Sequence, residues 1–383
     1  METIDKEAWL TRLVAFDTTS CNSNLPLIEC VGSWLDHLQI PFTLTYDPTK
    51  TKANLFASLP ASDGSLKGGL ILSGHTDVVP VSGQVWDSNP FCAIKRDNRI
   101  YGRGTCDMKG FLAVVLSLIP EFQMNSRKYP VHLAFSYDEE VGCLGVPLLI
   151  AEFQRKGIQP TACIVGEPTE MVPVIAHKGI NSFRCRIHGH AAHSSLTPKG
   201  CNAIEYGAKL ICWLRSFAEQ LKEKGPKDDL YDVPYTTLTS TMVSGGVAMN
   251  TIPSFLEFLF EFRNLPHDNP AQISQAIKDY VSEYLIPEMQ KESVDASVEI
   301  VPINCIPAFQ TSEDLEWIEI AGERDRIKKV SYATEAGLFQ QAGIPTIVCG
   351  PGSIMQAHKA NEFVSLEQLD KCENFLRMVE RGH

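Results

Sequence analysis

Five apolar, strand-like runs of the sequence each contain or lead into a residue that can bind a metal ion. They read GLILSGHTDVV at 69–79, YGRGTCDMKG at 101–110, VHLAFSYDEE at 131–140, ACIVGEP at 162–168 and IVCGPGSIMQAH at 347–358. In open α/β sheets, ligands bind outside the carboxyl ends of the strands. We therefore expect imidazoles and carboxylates from the five segments to meet at one sheet edge, as a hydrolytic centre with two metal ions.

Within these runs, two short motifs combine a ligand with a second functional group. His75 and Asp77 are two residues apart, so they share a face of an extended strand. One can bind metal while the other orients it, because ligating histidines usually donate their second N–H to a carboxylate or carbonyl. Glu139 and Glu140 are neighbours and point apart in an extended segment. One of the two can therefore bind metal while the other reaches the attacking water.

Composition excludes several classes of function. The 383 residues carry a formal net charge of −12 without a Lys/Arg-rich run, which argues against nucleic acid or an anionic membrane as partner. The Met1–Leu10 segment is acidic and unlike a signal peptide. No apolar stretch approaches the roughly 18 residues of a membrane span. The 12 cysteines form no CxxC pair, so we expect a reduced, cytoplasmic protein without a disulfide framework.

The order of predicted elements divides the chain. Strands and helices alternate up to about residue 180 and again from 305 onward, as in an α/β domain with a mixed sheet. Between them the pattern is β-α-β-β-α-β, the ferredoxin-like order. The sequence thus predicts a catalytic metal-binding α/β domain at 1–180 and 305–383, interrupted by an inserted ferredoxin-like α+β domain at 181–304.

Each motif alone has a simpler explanation. An isolated HxD is more often structural, and paired glutamates are common on solvated helix faces. Gly102–Gly104 resembles a dinucleotide fingerprint, but the position three residues later is Asp107 rather than Gly or Ala. Cys106 lacks an evident histidine partner as a nucleophile, and the alternative ligands His190 and His193 lie in the inserted domain. The ordered occurrence of all five motifs favours the metal centre.

Together, GHTDVVP, YGRGTCDMKG, SYDEE, GEPT and GPGSIMQAH resemble the ordered motifs of the M20 family of di-zinc metallopeptidases and amidohydrolases. The resemblance covers nearly the whole chain. VGEPTEMVPVIAHKG, YATEAGLFQ and the motif around His358 are similar to the acetylornithine deacetylase branch. Branches that act on succinyl-diaminopimelate, other acylamino acids or small peptides share the same frame.

The resemblance implies a metal-centre role for individual residues. It implies that one metal ion is bound by His75, Asp107 and Glu167. The other ion is bound by Asp107, Glu140 and His358, so that Asp107 bridges the two ions. Asp77 matches the carboxylate behind His75, and Glu139 matches the general acid/base. The implied cofactor is a pair of divalent metal ions per subunit, with zinc expected and cobalt or manganese as alternatives.

Other implied roles concern the inserted domain and the substrate. In this family the inserted domain is a lid and dimerisation domain, so we expect a homodimer. His193 matches an imidazole that reaches the partner subunit's site and stabilises the oxyanion. Asn250 and Arg263 match positions that hold the substrate carboxylate, although Arg263 alone would read as a surface ion-pair residue. For the cationic side chain of ornithine we expect Glu335, whose alternative role is a buried structural carboxylate.

The expected reaction is hydrolysis of the N-acyl amide of an amino acid, a small-molecule substrate. N2-acetyl-L-ornithine is the expected substrate, and L-ornithine and acetate are the products. The alternatives are a succinyl-diaminopimelate desuccinylase, another N-acyl-amino-acid deacylase or a dipeptidase of the same fold. A non-catalytic metal-binding protein is a further alternative, which the intact Glu139 argues against.

Overall fold

The structure is a computed structural model that describes residues 4–125, 127–312 and 327–381. The chain divides into two compact units. The first comprises Met1–Ala176, Phe309–Lys329 and Thr334–His383, and the second comprises His177–Ala308 and Val330–Ala333. The functions expected for the two domains stay predictions.

A nine-stranded mixed sheet forms the centre of the described fold. Its strands are β1 (Phe42–Tyr46), β2 (Ala53–Leu59), β3 (Leu70–His75), β6 (Val131–Ser136), β7 (Ala162–Pro168), β8 (Val174–His177), β15 (Phe309–Gln310), β16 (Lys328–Val330) and β17 (Thr346–Gly350). They are arranged in the order β1-β2-β6-β3-β7-β17-β8-β15, and β16 pairs with β8. The neighbouring strands β6, β3, β7 and β17 are parallel, so their carboxyl ends share one edge.

Helices cover this sheet, and a small sheet lies beside them. The helices of the first unit are α1 (Lys6–Val14), α2 (Leu25–His37), α3 (Lys109–Met124), α4 (Val146–Arg155), α8 (Ala336–Gln341) and α9 (Leu366–Arg381). The small sheet contains β4 (Ile94–Arg96), β5 (Arg99–Tyr101) and β18 (Phe363–Ser365). Helix α3 is apolar almost all round and mostly buried, as expected for a central helix.

A glycine allows α3 to approach the sheet. A Cβ atom built on Gly166 of β7 would lie 2.0 Å from the Phe111 ring of α3. No larger residue fits there without displacing the helix. Since α3 begins two residues after Asp107, this close packing fixes the loop that carries Asp107 relative to the strand that carries Glu167.

The second unit has a four-stranded antiparallel sheet. Its strands are β9 (Gly179–His188), β11 (Thr237–Gly245), β13 (Phe255–Asn264) and β14 (Ser297–Ile306), in the order β11-β13-β9-β14. Helices α5 (Ala203–Lys224) and α6 (Pro270–Tyr280) complete the β-α-β-β-α-β sequence, followed by a π-helical turn at Val281–Leu285 and α7 (Ile286–Met289). Strands β10 (Ala192–His193) and β12 (Thr251–Ile252) pair separately. The predicted fold class is confirmed.

Hydrophobic alternation explains the packing of the second unit. Residues of β9 and β13 alternate between buried and partly exposed positions, the pattern of a sheet with one covered face. Leu256, Phe258, Phe260 and Phe262 point to the covered face and pack with Leu210 of α5. Among the described residues, no helix is long and apolar enough to cross a bilayer.

Candidate metal centre

The shared carboxyl edge of the four parallel strands gathers the candidate ligands. His75 ends β3, Glu167 is the penultimate residue of β7, and Glu140 follows β6 after a short loop. His358 follows β17, and Asp107 lies two residues before the start of α3. Four of these side chains are largely buried, whereas the His358 side chain is 56% exposed.

Asp107 lies between the two imidazoles. Its Oδ1 atom is 3.0 Å from Nε2 of His75, and its Oδ2 atom is 3.3 Å from Nε2 of His358. Nε2 of His75 is also 3.5 Å from Oε1 of Glu167, and Nε2 of His358 is 3.1 Å from Oε2 of Glu140. The structure thus brings the five candidate ligands together in two groups that share Asp107. Their assignment as ligands stays a prediction.

Glu139 also belongs to this cluster. Donor atoms of His75, Glu139 and Glu167 lie within 4.8 Å of one another, and so do those of His75, Asp107 and Glu140. Glu139 is therefore near enough to bind a metal ion itself. Its expected role as an acid/base rather than a ligand needs a functional test.

The contacts of His75 identify its tautomer. Its Nδ1 atom is 2.9 Å from the main-chain carbonyl oxygen of Asp77 and 3.6 Å from the Oδ1 atom of the same residue. A carbonyl oxygen only accepts hydrogen bonds, so Nδ1 carries the proton and donates it. In the neutral imidazole the lone pair of Nε2 then faces Asp107. The nearer partner of His75 is thus the carbonyl of Asp77, and the carboxylate expected behind the ring lies within ion-pair distance of the same nitrogen.

The carboxylate of Asp77 also organises the neighbouring loops. It accepts a 2.7 Å hydrogen bond from Oγ of Ser20, and bonds of 3.1 and 3.3 Å from the main-chain N–H groups of Glu139 and Glu140. Asp77 therefore fixes the backbone of both glutamates. The sequence did not identify Ser20, which lies in a polar loop that carries no metal-binding pattern.

Glu362 is a second buried residue that the sequence did not identify. Its Oε1 atom accepts hydrogen bonds from the main-chain N–H groups of Cys106 (2.8 Å) and Asp107 (3.0 Å). Its Oε2 atom accepts from the N–H of Gly104 and from Nη1 of Arg103. The side chain is 1% exposed. Glu362 thus determines the conformation of the loop that presents Asp107.

The electrostatics of the cluster favour a cation. Burial raises the pKa of Glu139 and of Glu167 well above the usual range, and neighbouring carboxylates raise both further. Burial and the charge of Asp107 raise the pKa of Glu140 to about 7. Although burial opposes it, hydrogen bonds and positive charge from the imidazoles of His358 and His75, in their protonated form, lower the pKa of Asp107. Several carboxylates in one buried place repel each other unless positive charge lies among them.

The residues fit a pair of divalent metal ions. Nε2 of His75 faces the oxygens of Asp107 and Glu167. Once Nε2 has lost its proton, all three groups are acceptors that face one another, an arrangement that a cation stabilises. Oε1 of Glu140 is buried without a hydrogen-bond partner among the described residues. Mixed imidazole and carboxylate donors are the ligands of zinc, and they also bind cobalt or manganese.

Three predicted site residues lie in the second unit. Exposed His193 accepts a 3.2 Å hydrogen bond at Nδ1 from the main-chain N–H of Ser195, so Nε2 carries the proton of the neutral ring. Asn250 is exposed, and its main-chain carbonyl accepts a hydrogen bond from the main-chain N–H of Ser194. Arg263 is partly exposed and donates from Nε to Oε1 of Glu261 over 2.9 Å.

Glu335 lies in the first unit, just before α8. It is 1% exposed, and burial raises its pKa to about 7. Its Oε2 atom accepts a 3.4 Å hydrogen bond from Ser73 of β3, and a side-chain hydrogen bond from Ser136 of β6 partly opposes the rise in pKa. The contact with Ser73 favours the alternative role as a buried carboxylate beneath the metal loops, and a role in substrate binding stays a prediction.

Sequence comparison identifies relatives that match nearly the whole chain. The chain is 33% identical over 357 residues to an acetylornithine deacetylase of Pasteurella multocida, covering 92% of this chain and 90% of the relative. It is 34% identical over 365 residues to an acetylornithine deacetylase of Proteus mirabilis, with 94% and 91% covered.

Solved structures share the fold at lower sequence identity. An M20 family metallo-carboxypeptidase from Sulfolobus solfataricus superposes with a TM-score of 0.78 at 18% identity, covering 99% of both chains. A tripeptidase from Staphylococcus aureus superposes with a TM-score of 0.75 at 18% identity, again covering 99% of both chains. Residues 71–379 match the family described as Peptidase family M20/M25/M40. The chain belongs to this family of metal-dependent hydrolases.

Proposed function

We propose that the protein hydrolyses the N-acyl amide of an amino acid, with N2-acetyl-L-ornithine as the preferred substrate. The observation that carries the proposal is the approach of two imidazoles to the two oxygens of Asp107, beside the carboxylate of Glu139. The relatives named acetylornithine deacetylase, which match more than nine-tenths of this chain, support the choice of substrate.

Two divalent metal ions, with zinc expected, would bind to the five candidate ligands. The ligands proposed for one ion are His75, Asp107 and Glu167, and those for the other are Asp107, Glu140 and His358. When bound, the ions would polarise the acyl carbonyl and lower the pKa of a water molecule. The protein contributes the fixed orientation of the ligands, through the carbonyl of Asp77 on His75 and through Glu362 on the Asp107 loop.

Glu139 is the proposed acid/base. Its carboxylate takes the proton of the attacking water, and the same carboxyl group then returns that proton to the nitrogen of the cleaved amide. Asp77 holds the main-chain N–H of Glu139, which restricts the direction from which the carboxylate approaches. The acyl C–N bond breaks, and a carboxylic acid and a free amine are released.

His193 is the proposed donor to the oxyanion. Since the N–H of Ser195 occupies Nδ1, the Nε2–H group of the exposed ring remains available to donate a hydrogen bond. Fixed donors of this kind stabilise the charge that develops on the acyl oxygen. We propose that this donation occurs in the active site of the partner subunit.

Homodimer formation would proceed through the second unit. Strand β11 is an edge of its four-stranded sheet. Met242 and Val243 on this strand are 66% and 65% exposed, and Val247 in the following turn is also exposed. An edge strand with exposed apolar side chains is suited to pairing with a second copy.

The substrate carboxylate would bind to Asn250 and Arg263, and its ammonium group to Glu335. The planar guanidinium of Arg263 favours paired hydrogen bonds to a carboxylate, although the hydrogen bond from Nε to Glu261 must then break.

The twelve cysteines are free thiols, which supports a reducing, cytoplasmic location. There the ornithine produced would enter arginine biosynthesis.

The direct test compares substrates. Metal-loaded protein is assayed with N2-acetyl-L-ornithine, N-succinyl-diaminopimelate, N-acetylmethionine and simple dipeptides. We expect the highest kcat/KM with N2-acetyl-L-ornithine. A preference for dipeptides with a free amino terminus would contradict the proposal and favour a dipeptidase, and a preference for the succinylated substrate would favour a desuccinylase.

A further inference from the structure

A cavity of about 600 Å³ lies in the first unit, at the other end of the main sheet from the metal centre. It is lined by the beginning of β1, the end of β2 and the segment before β6. Leu59 at the end of β2 pairs with Val131 at the start of β6, whereas the glutamates of the metal centre follow the other end of β6. A six-residue strand at about 3.3 Å per residue separates the two places by roughly 20 Å. The cavity is therefore distinct from the metal centre.

The charge of the cavity is opposite to that of the protein. Its lining includes two ionisable residues, Arg127 and Lys156, and no carboxylate from the described parts of the chain. The whole chain has a formal net charge of −12. A local pair of cations in an acidic protein creates a place where a small anion is favoured.

Arg127 has unused hydrogen-bond donors. The residue is 6% exposed, and its Nη2 atom donates to the carbonyl oxygen of Pro60 over 2.6 Å. Its Nε and Nη1 atoms are buried without a hydrogen-bond partner among the described residues. Leaving guanidinium N–H groups buried and unsatisfied is unfavourable. Because both nitrogens are covered by neighbouring atoms, the guanidinium must turn toward the cavity before an oxyanion can accept bonds from them. Such bonds would remove the cost, since the guanidinium fork matches carboxylate and phosphate oxygens.

Glu380 is the acidic residue whose charge acts on Arg127 from outside the lining. Burial lowers the pKa of Arg127, and the charge of Glu380 opposes that effect. The Oε2 atom of Glu380 accepts a 3.0 Å hydrogen bond from Nδ2 of Asn125. Glu380 therefore compensates part of the positive charge of Arg127, but it accepts no hydrogen bond from Nε or Nη1.

The other lining residues determine which chemical groups the ligand can carry besides its anionic group. The lining includes the aromatic rings of Phe42 and Phe56. Nζ of Lys156 is 5.5 Å from the Phe56 ring centroid and donates to Oγ1 of Thr43 over 2.9 Å. An apolar body can lie against the rings. Glu152 Oε1 lies 3.7 Å from Nζ of Lys156, but it is paired with Arg155. An ammonium group on the ligand would therefore find no unpaired opposite charge.

We propose that this cavity binds a small organic anion, whose carboxylate or phosphate accepts hydrogen bonds from Nε and Nη1 of Arg127 and whose apolar body contacts Phe42 and Phe56. A ligand with this chemistry has no free ammonium group. The site is a second binding site of the protein, separate from the place of hydrolysis. A volume of about 600 Å³ is within the range of small-molecule pockets.

The test uses simple probes with the metal-loaded protein. Binding of 3-(4-fluorophenyl)propionate is followed by fluorine NMR, and 4-fluorophenyl phosphate distinguishes phosphate from carboxylate as the preferred anion. The corresponding alcohol and amine keep the apolar body without the negative charge. We expect at least one of the anions to bind, and the alcohol and amine to bind at least about tenfold more weakly, since a charged hydrogen-bonded pair is lost.

Variants locate the binding. Arg127→Gln should weaken the anion about tenfold or more, while hydrolysis in the absence of the anion is unchanged. Lys156→Gln should weaken it less, and it serves as a second variant if Arg127→Gln does not fold. Lys128→Gln is the matched control, since it removes a neighbouring cation that does not line the cavity. Equal affinity of the wild type, Arg127→Gln and Lys156→Gln would overturn the proposal, and so would equal binding of the alcohol and the anions.

Discussion

The main-chain N–H of Asp107 donates a 3.0 Å hydrogen bond to the carboxylate of Glu362. Asp107 is the residue that both imidazoles of the metal centre face. Glu362 lies four residues after His358, so one segment both supplies a candidate ligand and fixes the loop of another. The position of Asp107 therefore depends on a carboxylate that binds no metal ion in our assignment.

Glu362→Gln should lower metal affinity. The variant keeps the shape of the side chain but directs an amide NH₂ group toward main-chain N–H donors, so part of the support of the Asp107 loop is lost. Changes behind metal ligands typically cost about 10- to 100-fold in affinity or activity. The affinity is measured by competition with a chromophoric zinc chelator. Glu380→Gln, at another buried glutamate of the same unit, is the control, and equal zinc affinity of both variants would count against this role.

Glu139→Gln should abolish turnover and leave metal binding intact. Removal of a general base commonly costs about 10²- to 10⁴-fold in rate, and more when the same group protonates the leaving amine. Because Glu139 lies within reach of His75 and Glu167, metal content must be measured together with activity. Loss of one ion per chain, with activity restored by excess zinc, would identify Glu139 as a ligand instead.

His193→Ala and Glu139→Ala subunits should complement each other when mixed. If His193 serves the partner's site, each mixed dimer contains one site in which both groups are present. Activity should then reappear from two inactive proteins as subunits exchange. Exchange is verified separately with differently tagged subunits. Exchange without a return of activity would place the action of His193 within its own subunit or outside catalysis.

Glu335→Gln separates substrate recognition from structural support. If Glu335 binds the ammonium group of ornithine, the variant loses far more kcat/KM on N2-acetyl-L-ornithine than on N-acetylmethionine, which lacks that charge. The hydrogen bond from Ser73 supports the other role, in which both substrates suffer equally. The ratio of the two losses decides between them. Melting temperatures of the wild type and variant show whether the fold is affected.

Part of the fold could be predicted from sequence because strands leave regular patterns of apolar residues along the chain. Buried parallel strands read as continuous apolar runs, and four of the ligand candidates end or follow such strands. Asp107 differs from the expectation, because it lies in the loop before helix α3 and not at the end of a strand of the main sheet. The mixed sheet and the β-α-β-β-α-β order of the second unit are therefore confirmed. The local alternation of β9 and β13 shows in the sequence for the same reason.

The supporting contacts could not be predicted because they join distant segments. Ser20 and Asp77 are 57 positions apart, and Asp107 and Glu362 are 255 apart. No spacing rule relates such pairs, and both Ser20 and Glu362 lie in segments without a ligand pattern. Nor does a sequence distinguish the carbonyl of Asp77 from its carboxylate as the partner of His75. That distinction depends on the backbone conformation after β3.

The most direct test of the central claim is a zinc titration of metal-free protein, with bound metal and hydrolysis of N2-acetyl-L-ornithine measured at each step. The five candidate ligands are proposed to hold two ions that share Asp107. We therefore predict that activity rises with added zinc and becomes constant at two bound ions per chain, and that Asp107→Ala stays inactive throughout. Full activity in metal-free protein, or an active Asp107→Ala variant, would contradict the account.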